Sequence, residues 1–278
     1  MPHLQFAFQT TDQSAKDTLI AQLSNINFEG FEETDSGLLA YILESQFDDS
    51  LFKSLIYINH LNYAKSIVNE KNWNENWERD FQPIIVKYPY ESSSIFAFIR
   101  ASFHSSIPNA KYDISITPKM SFGTGHHATT YQMIQQMSMI DFQNKNVVDF
   151  GTGTGVLAIL AEKLGAQSVI AIDNDDWSIM NVKENIEINQ CAKISVIKET
   201  FCHTKEHSAD VMLANINLNV IIDNLEHIKK SCKPNSIVLF SGILTQDEPL
   251  ITEKLTSEGF TINKIESKDN WLIISTYL

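Results

Sequence analysis

The spacing of apolar residues along the chain changes several times, and each change predicts a boundary between elements. Leu4 to Phe8 alternates apolar with polar residues, the two-residue period of a half-buried strand. Asp12 to Leu23 has helical spacing, with Asp12 available as the N-cap. Three further segments continue the series: a strand at Gly37–Leu43, a helix at Asp48–Ile58 and a strand at Tyr63–Val68. Strands and helices that alternate in this way predict a small α+β domain, ferredoxin-like, over residues 1–70.

A polar connector with two tryptophans follows this domain. Trp73 and Trp77 are four residues apart and share one face if the connector is helical. We interpret residues 71–82 as a packed linker rather than an aromatic recognition site. From Phe81 to Ile116 short β-prone runs are broken by prolines, which predicts a strand-rich start to a second domain over 83–278.

The second domain is organised around a glycine cluster. The apolar run Asn146–Phe150 ends in Gly151-Thr152-Gly153-Thr154-Gly155, and a helix-forming run begins at Val156. Strand, tight loop and helix in this order open a doubly wound α/β domain, in which ligands bind beyond the carboxyl ends of the strands. Glycines allow positive φ and a close ligand approach, and the helix directs free N–H groups to the same place.

The spacing of the glycines and the acids beside them restrict the class of ligand that this loop can bind. The dinucleotide fingerprint is G-x-G-x-x-G, whereas the third glycine here comes one residue early. Asp149 precedes the loop, and a carboxylate there suits an amino group and a sulfonium better than a pyrophosphate. The next strand ends at Asp173, where a carboxylate can accept hydrogen bonds from both ribose hydroxyls. These features favour S-adenosylmethionine.

Later segments continue the α/β pattern and place a polar residue at the sheet edge. Asp210–Ile216 predicts a fourth strand, with Asn215 at its carboxyl edge. The remaining predicted segments are a helix at Asp176–Ile188, a strand at Ile194–Ile197, a helix at Leu218–Lys230, a strand at Ser236–Phe240 and a helix at Asp247–Glu258. Phe260–Ile265 and Trp271–Tyr277 then predict a C-terminal antiparallel hairpin, unlike the parallel finish of a dinucleotide dehydrogenase.

A second glycine loop lies upstream. Gly123 to Ala128 spells G-x-G-x-x-A, but Pro118 and polar residues stand where a feeding strand should end, so we reject a dinucleotide loop. His126 and His127 lack an acid or cysteine at ligand spacing, and no metal is expected. We expect a flexible loop, able to fold over a bound cofactor, and a helix that Thr129 or Thr130 begins.

Composition and charge restrict the class of protein. The formal charge is −13, which disfavours nonspecific binding to nucleic acid and is compatible with a basic protein partner. The sequence shows no apolar run of about 20 residues, and we expect no secretion signal because its first residues lack a basic region followed by an apolar one. Three cysteines, Cys191, Cys202 and Cys232, are far apart and indicate reduced thiols. We expect a cytoplasmic monomer without a membrane contact.

The motifs together resemble a known family. They are similar to the ribosomal protein L11 methyltransferase (PrmA) family, within the seven-stranded S-adenosylmethionine-dependent methyltransferases, through Phe122–Thr130, Trp73 with Trp77, Asp149–Gly155, Asp173 and Asn215-Ile216. Two positions depart from the family pattern: His126 stands where threonine is usual and Ala128 where proline is usual. The N-P-P-Y segment of many amino-group methyltransferases is absent after strand four, as this family would lead one to expect.

The resemblance implies both the fold and the site. It implies a doubly wound, seven-stranded Rossmann-like sheet, S-adenosylmethionine as cofactor, and methyl transfer to lysine side chains or the N-terminal amine of ribosomal protein L11, recognised by the small domain. It places cofactor contacts at Thr130, Gly151, Asp173 and Asn215, to which the glycine pattern adds Gly153.

Asn215 is also the predicted catalytic residue, holding cofactor or amine through its side-chain oxygen. The competing structural roles are a turn residue for Asn215, a helix cap for Asp173 and an N-cap for Thr130. Two other functions stay open: methyl transfer to another protein or a small molecule, and an inactive nucleotide-binding scaffold.

Overall fold

The computed structural model divides the chain into two compact units, Met1–Glu75 and Asn76–Leu278. It describes residues 3–10, 12–24, 26–28, 30–34, 36–55, 61–68, 81–91, 93–117, 127–202 and 208–278. The predicted linker over 71–82, with Trp73 and Trp77, lies almost wholly outside the described residues. The domain boundaries therefore stay predictions.

The smaller unit contains a four-stranded antiparallel sheet. Its elements are β1 (His3–Gln9), α1 (Gln13–Ser24), β2 (Gly30–Thr34), β3 (Gly37–Leu43), a 3₁₀ turn (Glu44–Gln46), α2 (Asp49–Ser54) and β4 (Tyr63–Val68). The strands lie in the order β2-β3-β1-β4. All of these strand pairs are antiparallel, and β1 pairs with β3 on one side and with β4 on the other. The alternation of strands and helices predicted an α+β unit, and the described residues form one.

Aromatic side chains fill the core of this unit. Phe6, Phe8 and Phe52 are almost completely buried, together with Leu19 and Leu23 one helical turn apart on α1. The rings of Phe6 and Phe52 lie 4.6 Å apart between centroids, and such pairs add about 0.5–1.5 kcal/mol beyond the area they bury. The alternation at Leu4 to Phe8 therefore marks the face of β1 that packs on the helices.

The larger unit begins with a three-stranded sheet, as the β-prone runs after Phe81 predicted. Its strands are β5 (Ile84–Lys87), β6 (Ile95–Ala101) and β7 (Ala110–Ile116), in the order β5-β6-β7. β6 and β7 are parallel, and β7 lies at the edge of this sheet.

A seven-stranded sheet forms the centre of the larger unit. Its strands are β8 (Asn146–Phe150), β9 (Ser168–Asp173), β10 (Ile194–Lys198), β11 (Ala209–Asn215), β12 (Cys232–Leu244), β13 (Thr261–Lys268) and β14 (Trp271–Tyr277). Their order is β10-β9-β8-β11-β12-β14-β13. β14 is antiparallel to both of its neighbours, whereas β8 to β12 are parallel. The predicted doubly wound sheet and the C-terminal antiparallel hairpin are confirmed.

Helices cover both faces of this sheet. They are α3 (Ala128–Met137), α4 (Val156–Lys163), α5 (Asp176–Ile188), α6 (Leu218–Ser231) and α7 (Glu248–Ser257). Val147 belongs to the apolar cluster that contains residues of α3 and α4, and its neighbour Val148 belongs to the cluster of α6 and α7. Successive strand residues face opposite sides, so a strand buried on both sides needs a continuous apolar run.

Several predicted boundaries are wrong. The helix predicted over Asp48–Ile58 ends at Ser54, because Leu55 has an extended backbone, and the hairpin strand predicted over Phe260–Ile265 runs to Lys268. β12 was predicted over Ser236–Phe240 but runs from Cys232 to Leu244, because Cys232 pairs with β11 at one end and Leu244 with β14 at the other. The helix α3 begins at Ala128 rather than at Thr129 or Thr130, with His127 as its N-cap. In the part of the chain that the structure describes, no helix has both the length and the apolar run needed to cross a membrane.

Candidate active site

A cleft of about 480 Å³ opens at the carboxyl edge of the central sheet. The strand order reverses between β8 and β11, and ligands of open α/β sheets bind at such a switch point. The cleft is lined by His127, Phe150, Gly151, Gly153, Asp173, Asn174, Ser178, Glu199, Thr200, Asn215, Ile216, Asn217, Val220, Gly242 and Trp271. Four of the five predicted site residues are therefore together in one cleft.

The glycine loop forms the floor of the cleft beside β8. Gly151 and Thr152 donate their N–H groups to the carbonyl of Ile172 on β9 at 2.8 and 2.9 Å, which holds the loop across two strands. Gly151 has a φ of +76°, and a Cβ there would lie 2.0 Å from Cγ2 of Ile216. Glycine is therefore required at this position both by backbone conformation and by the close approach of Ile216, which follows β11.

Asp173 ends β9 and connects it with the glycine loop. Its Oδ2 accepts a hydrogen bond from the N–H of Gly153 at 2.9 Å, and its Oδ1 accepts one from the N–H of Asp175 at 3.1 Å. Asp173 is not the helix cap, because Asp175 caps α5 by accepting from the N–H of Ser178. The carboxylate faces the cleft with lone pairs left for a ligand.

Asn215 ends β11 and lines the cleft. Its side chain is buried, and its Nδ2 donates to the hydroxyl of Thr130 at 3.2 Å. Oδ1 of Asn215 has no hydrogen-bond partner among the described residues. Thr130 is fully buried on α3 and is absent from the cleft lining, so it contacts Asn215 from behind. Because His127 is the N-cap of α3, Thr130 has no capping role.

Comparison with known protein families shows which family the chain belongs to. The family model described as ribosomal protein L11 methyltransferase (PrmA) matches residues 8–277. The chain belongs to that family. A ribosomal protein L11 methyltransferase of Phocaeicola vulgatus is 36% identical over 99% of this chain and 98% of its own length. One of Chlorobaculum tepidum is 37% identical over 97% of this chain and 94% of its own. The resemblance inferred from the sequence is confirmed.

A solved structure supports the same assignment. The crystal structure of a ribosomal protein L11 methylase from Lactobacillus delbrueckii subsp. bulgaricus is similar to this chain, with a TM-score of 0.61 and 25% sequence identity. The similarity covers 69% of this chain and 97% of that one. The α/β methyltransferase fold with a mostly parallel central sheet therefore follows from a solved relative as well as from the strand order.

One acid of the PrmA site lies below the glycine loop instead of in the cleft. Asp149 was expected to face the ligand, but it is buried on β8 and is absent from the cleft lining. Its Oδ2 accepts a hydrogen bond from the hydroxyl of Thr152 at 2.6 Å. Burial raises the pKa of Asp149 to about 7, although the Thr152 hydroxyl opposes the shift. Asp149 therefore supports the loop from beneath.

Two aromatic rings form one side of the cleft. His127 and Trp271 meet edge to face with centroids 4.7 Å apart, and Nδ1 of His127 lies 2.8 Å from the hydroxyl of Thr129. Burial lowers the pKa of His127, which favours the neutral imidazole. Ala128 is the first residue of α3, a position where proline suits a helix but is not required.

Sequence reasoning missed several lining residues, although a positional signal was present for some. Glu199 and Thr200 directly follow β10, and the rule that singled out Asp173 and Asn215 applies equally to that strand end. Gly242 interrupts the apolar run of β12 and has a φ of +88°, with its ideal Cβ 2.2 Å from the carbonyl oxygen of Ile216. Trp271 had no such signal, because the hairpin alone brings it to the cleft.

The charge of the cleft is negative. Asp173 and Glu199 are its charged side chains, and the described lining includes no lysine or arginine. A pyrophosphate would meet carboxylates without a compensating cation, whereas a ligand with a positive centre gains from them. The electrostatics agree with the choice of ligand made from the glycine spacing.

Proposed function

We propose that this cleft binds S-adenosylmethionine and directs its methyl group to amino groups of ribosomal protein L11, on lysine side chains, the N-terminal amine or both. Membership in the PrmA family supports the reaction class, the methyl donor and the protein substrate. The choice of amino groups is the finer part of the proposal.

One observation supports the proposal most strongly. The Oδ1 atom of Asn215 is buried in a residue that lines the cleft and has no hydrogen-bond partner among the described residues. A buried acceptor without a partner costs about 1–3 kcal/mol, which a ligand that donates a hydrogen bond to this oxygen would recover. Its position at the switch point, opposite Asp173 and the glycine loop, is where a ligand of this fold binds.

The residues present fit S-adenosylmethionine. Asp173 offers carboxylate oxygens for the ribose hydroxyls, and Gly151 and Gly153 offer a surface without side chains. Asp173 and Glu199 favour a cationic ligand. When bound, S-adenosylmethionine supplies a methyl group on a positively charged sulfur, and that sulfur is a good leaving group when a neutral amine attacks the methyl carbon.

Asn215 is proposed to orient the bound molecules. Thr130 accepts the hydrogen bond from Nδ2, which fixes the orientation of the amide and directs its oxygen. That oxygen can accept an N–H of the cofactor or of the incoming amine, but an amide is no base. The amine therefore loses its proton to solvent before attack, and catalysis rests on positioning and exclusion of water.

The remaining proposals concern organisation. The strand order β2-β3-β1-β4 with antiparallel pairing supports a ferredoxin-like class for the small unit, to which we assign substrate recognition over residues 1–70. The linker is proposed over 71–82 and the catalytic domain over 83–278. A formal charge of −13 suits a basic substrate protein. We further propose a cytoplasmic monomer that does not bind nucleic acid directly.

A transfer assay tests the function. Purified protein is incubated with methyl-labelled S-adenosylmethionine and purified ribosomal protein L11, and the product is mapped by mass spectrometry. We expect label on amino groups of L11, and much less label with Asn215→Ala. Label only on another protein or a small molecule, or cofactor binding without transfer to any substrate, would contradict the proposal.

A further inference from the structure

A row of asparagines on α5 packs against the edge strand β7. Asn181, Asn185 and Asn189 are spaced by four residues, so they lie on one face of the helix, one above the other. Asn181 and Asn185 are fully buried, and Asn189 follows the last turn as the C-cap. Asparagine has a low helix propensity, and a buried amide needs hydrogen-bond partners for its donors and its acceptor.

These amides bind the backbone of the strand in place of a neighbouring strand. Asn189 accepts from the N–H of Ser115 at 3.0 Å and donates to its carbonyl at 2.5 Å. Asn185 accepts from the N–H of Thr117 at 2.8 Å, and Asn181 donates to the carbonyl of Thr117 at 3.2 Å. Side chains therefore satisfy the backbone groups of Ser115 on the edge strand and of Thr117 just beyond its end.

The rise per residue of the helix α5 and of the strand β7 explains why successive asparagines of the row meet successive backbone groups of the strand. Four residues of helix advance the chain by about 6 Å. Two residues of strand advance it by about 6.6 Å, and residues two apart direct their backbone groups to the same side. The step from Asn189 to Asn185 thus matches the step from Ser115 to Thr117.

Asn185 differs from Asn189 in having a second contact, on the glycine loop. Its Nδ2 donates to the carbonyl of Thr154 at 2.8 Å, and Thr154 is fully buried between Gly153 and Gly155. One buried amide therefore joins the end of the β7 segment at Thr117 to the loop that forms the floor of the cleft. Among the described residues, the side chain of Asn189 binds only Ser115 and the backbone of its own helix.

We propose that Asn185 is a positioning residue for methyl-donor binding, holding the glycine loop in its binding conformation through the carbonyl of Thr154. The inference rests on the proposed function, since it concerns the same cleft. Asn185 is absent from the residues that line the cleft, so it acts through the loop. Without its amide, the carbonyl of Thr154 and the N–H of Thr117 lose the partners described above.

The test compares two alanine variants on the same helix. The side chains of Asn185 and Asn189 each make three hydrogen bonds in the described structure, so Asn185→Ala and Asn189→Ala should lower the melting temperature comparably. We expect Asn185→Ala to weaken S-adenosylmethionine binding roughly tenfold in calorimetry, the effect of about one lost buried hydrogen bond. Asn189→Ala should bind S-adenosylmethionine within about twofold of the wild type, because none of the hydrogen bonds described for its side chain reaches the glycine loop.

Kinetics and a second variant complete the experiment. In transfer to ribosomal protein L11, Asn185→Ala should raise KM for S-adenosylmethionine and leave kcat nearly unchanged at saturation. If Asn185→Ala does not fold, Asn185→Asp decides, because it keeps the acceptor for Thr117 and loses the donor to Thr154. Equal binding losses for Asn185 and Asn189 variants, or unchanged binding by the Asn185 variants, would overturn the inference. A wild-type protein that does not bind the cofactor would overturn the proposed function first.

Discussion

Asp173 gives the most informative single perturbation, because its carboxylate has a structural and a predicted ligand-binding role. Asp173→Ala removes the acceptor of the Gly153 and Asp175 N–H groups and also the predicted acceptor of the ribose hydroxyls. Hydrogen bonds to a charged group contribute about 1.5–3 kcal/mol each, and part of the loss is recovered by water. We expect a net loss of about 1–3 kcal/mol in cofactor binding, which is roughly five- to 150-fold in Kd.

A matched control separates the two roles of Asp173. Asp210 also accepts a backbone N–H, from Asn146 at 2.9 Å, and it pairs with Lys233, but it lies at the amino end of β11, at the opposite edge of the sheet. Asp210→Ala should therefore lower stability without weakening binding. Calorimetry with S-adenosylmethionine and chemical denaturation are measured for both variants.

The assignment has a clear point of failure. If Asp173→Ala binds the cofactor as tightly as the wild type, the ribose role is wrong, whatever happens to stability. If Asp210→Ala loses as much cofactor affinity as Asp173→Ala, the loss follows from lower stability of the fold, and the assignment of Asp173 to the cofactor site is wrong. Asp173→Asn, which keeps one oxygen acceptor and removes the charge, should lie between the wild type and Asp173→Ala.

Three further predictions concern the loop and the buried groups. The raised pKa of Asp149, about 7, means that the folded protein binds more protons than the unfolded chain between pH about 4 and 7, so stability should fall by about 1 kcal/mol per pH unit as pH rises through that window. Denaturation of Asp149→Asn should lack this slope, and an unaltered slope would contradict the assignment. In Gly151→Ala the added Cβ would clash with Ile216, so this variant should lose cofactor binding in calorimetry. Adding Ile216→Ala to it should restore part of the binding. If the double variant restores none, the positive φ of Gly151 and not the clash causes the loss. Burial raises the pKa of the Cys202 thiol to about 12 and that of Cys191 to about 11, so alkylation followed by mass spectrometry should label the more exposed Cys191 first; preferential labelling of Cys202 would contradict its burial.

Local patterns were enough to locate the main elements of the large unit. The run before Gly151 and the helix after Gly155 were read correctly because a strand buried on both faces and a glycine turn leave a strong local signature. β2 of the small unit was missed, because Gly30–Thr34 has an acidic centre and, among the described strands, pairs with β3 alone. The length of β12 was also missed, since both of its ends are set by partner strands.

The sequence by itself indicated the methyl donor of this protein and, through the family resemblance, its reaction class. The glycine spacing and the places of Asp173 and Asn215 at strand ends can be read from short segments of sequence. Because the carboxyl ends of parallel strands meet at one edge of the sheet, such segments already indicate a shared site. Only the tertiary structure decided which side chains share the cleft. Asp149 is two residues from Gly151 yet lies beneath the loop, while Trp271 is far along the chain and lines the site. Alternation of side chains on a strand and pairing of distant strands determine those positions, and neither is visible in a single motif.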